Sequence, residues 1–216
     1  MGIAERIVKI RAEMPEGVRL VAVSKTKGKG EILEAYAAGQ RDFGENKVQE
    51  LTAKYEALPR DIRWHMIGHL QRNKVKYLID FVSLIHGVDS LRLLREIDKR
   101  AAGAGRVVDC LLQVHIAEES TKFGFDKDEL RELFEGGELD QLEHIRIRGL
   151  MGMATFTEDQ RQVRREFRSL KALFDAFCGA LADADTLSMG MSGDYEIALE
   201  EGSNMVRIGS SIFGSR

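Results

Sequence analysis

The sequence predicts a (β/α)8 barrel with an extra helix at its N-terminus. Eight short apolar segments with the character of strands alternate with segments of helical periodicity along the 216 residues, and this alternation favours a parallel sheet whose strands are joined by helices. The number of strands equals the eight that a closed barrel needs. No Gly-x-Gly-x-x-Gly sequence follows the first strand, which argues against the alternative, an open doubly wound sheet.

Local patterns predict each element in the first half of the chain. Apolar residues at helical spacing predict a helix over residues 3–14, which Pro15 and Gly17 end. A continuous apolar run from Leu20 to Lys25 is typical of a strand buried on both faces. The next predicted elements are a helix over 31–39 closed by glycine, a strand over 41–46, a helix over 46–58 stopped by proline, a strand over 64–68, a helix over 72–79, a strand over 81–85 and a helix over 90–102.

The same alternation continues to the end of the chain. Residues 107–114 form an apolar run that predicts the fifth strand, residues 127–134 have a helical pattern, and residues 145–153 predict a sixth strand. The longest predicted helix covers about residues 158–182 and carries an apolar stripe that includes Phe167 and Phe174. Strands over 186–191 and 204–209 enclose a last helix over 194–201. We find no repeat or linker, so we expect a single domain over residues 1–216.

Composition and charge exclude several classes of function. A net charge of −3 and a pI near 6.0 argue against nucleic-acid binding. No segment is long enough to span a membrane, and no basic run is long enough to suggest binding to a membrane surface. The two cysteines have no metal-ligand spacing, which indicates free thiols in a reducing compartment. We therefore expect a cytoplasmic protein, and a monomer, because no long apolar patch is evident.

Candidate functional residues lie just after three predicted strands, where (β/α)8 barrels carry their chemistry. Lys25 ends the first strand, Ser192 follows the seventh at the start of a helix, and Gly209 and Ser210 follow Arg207 at the end of the eighth. Loops after strands seven and eight are the usual phosphate sites of such barrels, and free backbone N–H groups there favour an anion. Each feature also has a plain structural explanation: a lysine-rich turn in solvent, a helix cap, a glycine turn and an ion-paired arginine.

The combination of an amine and a phosphate site suits a phosphate-bearing aldehyde such as pyridoxal 5'-phosphate. The lysine would form an imine with the aldehyde, and the loops would hold the phosphate. Arg207 could point at the pyridine nitrogen and, as a permanently charged donor, would keep that nitrogen unprotonated. An unprotonated ring withdraws electrons less well. A barrel that binds another phosphorylated metabolite stays open as an alternative.

Six sequence blocks carry a resemblance to a known family. In chain order they are VAVSKTK at 21–27, FGENKVQE at 43–50, WHMIGHLQRNK at 64–74, GLMGM at 149–153, LSMGMS at 187–192 and VRIGS at 206–210. The chain resembles the pyridoxal 5'-phosphate homeostasis proteins, which are related to the N-terminal barrel of alanine racemase. The resemblance implies that fold, with Lys25 holding the cofactor as an internal aldimine and Asn46 near it. It further implies Ser192, Gly209 and Ser210 at the phosphate, Arg207 at the pyridine nitrogen, and pyridoxal-dependent apo-enzymes as candidate recipients.

Two residues depart from the family pattern. Gly28 stands where the family usually has proline, and we expect it to loosen the loop after Lys25. His115 stands where the family has asparagine, and we expect a structural histidine rather than a catalytic one. His65 and His69 are four residues apart but lie in a predicted strand and turn with no third ligand nearby, so we expect no metal site.

The resemblance leaves the choice between a carrier and an enzyme open. Alanine racemase takes its second base, a tyrosine, from a C-terminal β domain, which we expect this chain to lack because it ends at Arg216. Since Arg207 would also discourage carbanion chemistry, we expect a protein of intracellular pyridoxal 5'-phosphate homeostasis with little or no turnover. The alternative is a small amino-acid racemase or lyase that uses Lys25 as its sole base.

Overall fold

Eight parallel strands close into a barrel in which each strand pairs with its neighbours in chain order and β1 pairs with β8. The structure is a computed structural model that describes residues 1–118, 123–179, 181 and 183–214. The closed barrel of eight parallel strands confirms the predicted (β/α)8 fold class. The strands are β1 (Arg19–Val23), β2 (Asp42–Glu45), β3 (Arg63–Met66), β4 (Leu84–Val88), β5 (Val108–Val114), β6 (Ile145–Gly152), β7 (Thr186–Ser188) and β8 (Met205–Ile208).

Helices connect the strands on the outside of the barrel, and one precedes β1 as predicted. They are α1 (Ile3–Glu13), α2 (Lys29–Ala37), α3 (Val48–Ala57), α4 (Leu91–Gly103), α5 (Lys127–Glu135), α6 (Gln160–Phe177), α7 (Tyr195–Glu200) and α8 (Ser210–Phe213), with short 3₁₀ helices at Arg72–Tyr77 and Leu139–Gln141. Side-chain caps at Ser90, Asp126 and Asp159 begin α4, α5 and α6, which satisfies backbone N–H groups that a helix start leaves without partners. None of the described helices combines the length and the apolar character that a membrane-spanning segment requires.

Four predicted elements differ from the structure by three or more residues or in the type of helix. The fourth strand is Leu84–Val88 rather than residues 81–85, and the segment predicted as a helix over 72–79 is the 3₁₀ helix Arg72–Tyr77. The seventh strand stops at Ser188, so Met189–Met191 belong to the following connection. The long helix α6 ends at Phe177, and the predicted end at Ala182 lies outside the described residues.

The apolar core has two parts because successive side chains of a strand point to opposite faces. Outward-facing side chains such as Phe43 and Trp64 pack against the helices in the larger cluster. A smaller apolar cluster of Val21, Leu84, Leu111, Met151 and Met205 lies in the barrel interior. The interior is therefore a packed core, and a ligand can enter only at an end of the barrel.

Candidate functional site

A cavity of about 980 Å³ lies at the carboxyl ends of the strands, close to the upper end of the range usual for small-molecule sites. All six predicted site residues line it: Lys25, Asn46, Ser192, Arg207, Gly209 and Ser210. They come from β8 and from the segments that follow β1, β2, β7 and β8. The parallel order of the strands thus brings residues 185 positions apart in the chain to one mouth.

The segment that carries Lys25 is held in an unusual backbone conformation. Thr26 has a φ of 65°, a region that β-branched residues rarely adopt. The N–H of Thr26 donates to Glu50 Oε1 at 2.6 Å, and the N–H of Lys27 donates to the Ser24 carbonyl at 3.0 Å. Lys25 itself is half-buried, and no described residue hydrogen-bonds or ion-pairs with its Nζ. The turn therefore brings to the cavity a lysine whose amine has no partner among the described residues.

A buried ionic cluster lies directly behind this turn. Lys54 Nζ donates to the Ser24 carbonyl, to Glu45 Oε1 and to Glu50 Oε1, each at 2.7 Å. Ser24 Oγ also donates to Glu45 Oε1, at 2.5 Å, while Glu45 Oε2 is buried without a partner among the described residues. Burial raises the pKa of Glu45, although the hydrogen bonds from Lys54 and Ser24 oppose this effect.

The loops after β7 and β8 are tied together by one hydroxyl group. Ser192 Oγ accepts from the N–H of Gly209 at 3.2 Å and from that of Ser211 at 3.5 Å. A Cβ added at Gly209 would lie 3.3 Å from Val23 Cβ and from the Val23 carbonyl oxygen, so β8 packs closely on β1 here. Because the Ser192 oxygen accepts within the protein, its hydroxyl hydrogen remains for a ligand.

Arg207 brings a buried cation to the same mouth. Its side chain is 3% exposed and donates to Ser188 Oγ at 2.6 Å and to the Gly152 carbonyl at 3.0 Å. Burial lowers the pKa of Arg207 to about 10, with Asp194 acting in the opposite direction. No described carboxylate forms an ion pair with Arg207, so its positive charge is available to a ligand.

Asn46 lies where two backbones approach closely. A Cβ added at Gly68 would lie 2.4 Å from the Asn46 carbonyl oxygen and 2.8 Å from its Cα. Only glycine permits this contact. The segment after β3 thus presses against the segment after β2 and holds Asn46 at the edge of the cavity.

Sequence reasoning missed several residues that line the cavity. His69 is one: its Nδ1 lies 2.9 Å from Asp89 Oδ2, and its ring stacks on Phe123 with the centroids 4.1 Å apart. Gln113 of β5 also lines the cavity and donates to the Phe123 carbonyl at 2.8 Å. Side chains of β5 alternate between the two faces of the sheet, and this alternation could have predicted that Gln113 faces the barrel interior. The pairing of His69 with Asp89 depends on tertiary structure alone. Among the described residues, no group of three potential ligands could hold a metal ion.

One of the two departures from the family pattern, Gly28, has a structural explanation. Gly28 has a φ of −76° and its N–H donates to Glu31 Oε2 at 2.9 Å, a capping bond that proline could not make. The start of α2 is therefore anchored where we expected a looser loop. The N–H of His115 donates to the Phe125 carbonyl at 3.0 Å, and His115 is not among the described residues that line the cavity.

Together, the barrel and its mouth define a class of protein: a (β/α)8 barrel that presents a lysine, a buried arginine and a joined pair of serine–glycine loops to one ligand. Comparison with known proteins agrees with this class. The family model of the alanine racemase N-terminal domain matches residues 2–216.

Curated relatives match over nearly the whole chain. The pyridoxal phosphate homeostasis protein of Aquifex aeolicus is 42% identical over 219 residues, covering 99% of this chain and 95% of the relative. The protein of the same name from Escherichia coli K12 is 37% identical and covers 94% of this chain and 87% of the relative.

Solved structures give the same result. PipY of Synechococcus elongatus PCC7942, solved without PLP, is 38% identical and superposes with a TM-score of 0.92 over 98% of this chain and all of that chain; the form with PLP bound gives 0.88. An alanine racemase of Clostridium difficile 630 is 15% identical with a TM-score of 0.80, and all of this chain covers 56% of it; this likeness shows the fold. The chain belongs to the alanine racemase N-terminal domain family and, within it, to the pyridoxal phosphate homeostasis proteins.

Proposed function

We propose that the chain binds pyridoxal 5'-phosphate at the mouth of the barrel and acts in the homeostasis of this cofactor inside the cell. The observation that carries the proposal is that six residues chosen from the sequence for one ligand all line one cavity. The names of the relatives and the PLP-bound structure of PipY support it. The barrel over residues 1–216 would act as one binding domain.

The described residues fit each part of this cofactor. Lys25 offers an amine without a described partner, which suits the aldehyde, and Ser192, Gly209 and Ser210 offer hydroxyl and backbone N–H groups, which suit the phosphate. Arg207 is a buried donor without a described carboxylate partner, which suits a ring nitrogen that keeps its lone pair. Asn46 would contact the ring from the side of β2.

The same arrangement favours a carrier with little or no turnover. Bound pyridoxal 5'-phosphate supplies an electrophilic aldehyde and a ring that takes up negative charge best when its nitrogen is protonated. Arg207 cannot serve as the acid at this nitrogen, because burial lowers its pKa only to about 10, and it would instead donate a hydrogen bond to the unprotonated form. We infer that the site holds the cofactor and releases it to pyridoxal-dependent apo-enzymes.

Titration of the apo-protein with pyridoxal 5'-phosphate tests binding. We expect saturable binding that changes the absorption spectrum of the cofactor, and loss of the spectral change in Lys25→Ala. Lys29→Ala is the matched control, because Lys29 is exposed at the start of α2. Equal binding spectra for wild type and Lys25→Ala would contradict the role of Lys25.

One observation favours a second candidate function, an amino-acid racemase or lyase. His69, which lines the same cavity as Lys25, pairs with Asp89, and a histidine held by a carboxylate can transfer protons. This candidate predicts exchange of the α-proton when the loaded protein is incubated with L-amino acids in D₂O. Deuterium incorporation well above that produced by free cofactor would contradict the carrier.

The proposal extends to compartment and assembly. Two free, buried cysteines, Cys110 and Cys178, accord with a reducing cytoplasm. We propose that the protein works as a monomer, and a sedimentation measurement that gives a stable dimer would contradict this. Transfer is tested by mixing the loaded protein with a pyridoxal-dependent apo-enzyme and comparing the rate of its activation with that produced by free cofactor.

A further inference from the structure

A row of buried polar side chains crosses the barrel interior from Arg207 to the opposite end. Arg207 NH1 lies 2.6 Å from Ser188 Oγ, which lies 3.3 Å from His86 Nδ1. His86 Nε2 lies 2.9 Å from His65 Nδ1, and His65 Nε2 lies 3.0 Å from Asp42 Oδ1. The five residues come from five strands, β8, β7, β4, β3 and β2.

This row replaces apolar packing that a barrel interior normally contains. Ser188 and His86 are fully buried, His65 is 2% exposed and Asp42 is 7% exposed. Buried polar groups cost free energy unless every donor and acceptor is paired. The row reaches solvent at the far end, where the carboxylate of Asp42 accepts from Arg63 Nε at 2.7 Å and from Arg63 NH2 at 2.5 Å.

The hydroxyl of Ser188 determines the direction of every hydrogen bond in the row. Its oxygen accepts from Arg207, and the only described acceptor for its own hydrogen is His86 Nδ1. Complete burial is the largest cause that lowers the pKa of His86 well below its usual value, so His86 is neutral, and because its Nδ1 accepts from Ser188 it carries its one hydrogen on Nε2. His86 then donates to His65 Nδ1, and His65 donates from Nε2 to Asp42.

Asp42 is a suitable end for such a row. Burial opposes its ionisation, but the hydrogen bonds from Arg63 and His65 outweigh this effect and hold the pKa of Asp42 well below its usual range. The carboxylate therefore stays charged at neutral pH and can only accept hydrogen bonds. A buried cation at one end and a charged acceptor at the other polarise the groups between them in the same direction.

We propose that Ser188, His86, His65 and Asp42 are positioning residues for Arg207, acting through a hydrogen-bond chain in which every group donates toward Asp42. These hydrogen bonds compensate the positive charge of the Arg207 guanidinium, which has no described carboxylate partner. They also fix the orientation of Arg207 in the cavity. This role toward the ligand rests on the proposed binding of pyridoxal 5'-phosphate, whereas the donor order does not.

The donor order is tested in the apo-protein by long-range ¹H–¹⁵N NMR of histidine side chains at neutral pH. We expect His65 and His86 each to carry hydrogen on Nε2 and none on Nδ1, with assignments made from His65→Gln and His86→Gln. A hydrogen on Nδ1 of either histidine would overturn the proposal. This measurement determines the order of the hydrogen-bond donors even if the protein does not bind the cofactor.

The positioning role is tested by comparing two ligands in Ser188→Ala. We expect affinity for pyridoxal 5'-phosphate to fall by about tenfold, as for loss of one hydrogen bond to a charged group, while the affinity for inorganic phosphate stays within about twofold of wild type. Ser188→Thr keeps the hydroxyl and should retain most of the cofactor affinity. Unchanged cofactor affinity in folded Ser188→Ala, or an equal loss for both ligands, would overturn the role. If the wild type binds no pyridoxal 5'-phosphate, the proposed function fails instead.

Discussion

Replacing Lys54 with methionine tests whether the buried ionic cluster behind Lys25 supports the fold. Lys54 Nζ donates three hydrogen bonds of 2.7 Å, and the side chain of its partner Glu45 is fully buried. Methionine keeps the length and the apolar packing but leaves a buried carboxylate for which the Ser24 hydroxyl is the only donor among the described residues. Breaking a buried pair in this way costs about 3–5 kcal/mol of unfolding free energy.

The expected loss lies near the lower end of that range. Glu45 can take up a proton when Lys54 is absent, and Glu50, the other carboxylate of the cluster, is 26% exposed and can be hydrated. We therefore expect Lys54→Met to lose about 3 kcal/mol near pH 8. In urea unfolding this loss would lower the midpoint by about 1 M, for a denaturant dependence of about 3 kcal/mol per M.

The pH dependence of this loss follows from the raised pKa of Glu45 in the folded protein. A raised folded pKa contributes stability below the unfolded value, and this contribution is lost as the pH rises through the folded value. Lys54→Met removes a group that opposes the rise, so the folded pKa of Glu45 increases further. The destabilisation should therefore be small near about pH 5 and should grow toward about pH 8.

Two variants serve as controls for the Lys54 experiment. Lys9→Met removes an exposed lysine whose Nζ is 3.8 Å from Glu13, and we expect a change within about 0.5 kcal/mol. In a Glu45→Gln background the Lys54 substitution should cost less, because no buried charge is left unpaired. An equal loss at both pH values, or a loss under about 1 kcal/mol near pH 8, would refute the reasoning.

Other substitutions test the remaining parts of the site. Ser192→Ala should weaken the affinity for inorganic phosphate, measured by calorimetry, by about 1–2 kcal/mol, and unchanged affinity would place the phosphate elsewhere. Arg207→Gln should weaken retention of pyridoxal 5'-phosphate in equilibrium dialysis by about tenfold or more, and equal retention would mean that Arg207 does not contact the ligand. Gly68→Ala should lose about 1–3 kcal/mol in thermal unfolding, since its Cβ would lie 2.4 Å from the Asn46 oxygen, whereas Gly30→Ala, with open space around it, should not lose stability. Asp42→Asn should be destabilised at neutral pH, and its difference from wild type should shrink progressively below about pH 4, because a lowered folded pKa contributes its full stability above the unfolded value and loses it as the pH falls toward the folded value; a constant difference in acid titration would contradict this.

Local patterns predicted the barrel and five of the six candidate residues at its mouth, whereas Asn46 came only from the family resemblance. A continuous apolar run that stops on Lys25 and glycine–serine turns after the last strands are local signals, and parallel topology places all strand ends together. The fourth strand was misplaced because His86 and Gly87 interrupt its apolar pattern. The interior is polar at this position, so the apolar residues Phe81 and Val82, just before β4, gave the stronger strand signal although they pack outside the barrel.

The polar networks could not be predicted because their members come from different strands. His65 and His86 are 21 residues apart and meet only when β3 and β4 pair. Lys54 has the position of an ordinary surface lysine on an amphipathic helix, yet its ammonium is buried against Glu45. No spacing in the sequence encodes such contacts, and only the closed barrel brings these groups together.

Borohydride reduction of the protein loaded with pyridoxal 5'-phosphate, followed by peptide mass mapping, tests the central claim most directly. Reduction fixes any imine between a lysine and the cofactor as a stable secondary amine. We predict one equivalent of the reduced cofactor on the peptide that contains Lys25 and loss of the cofactor's visible absorption. A label on Lys27 or Lys47, or no label at all, would contradict the account.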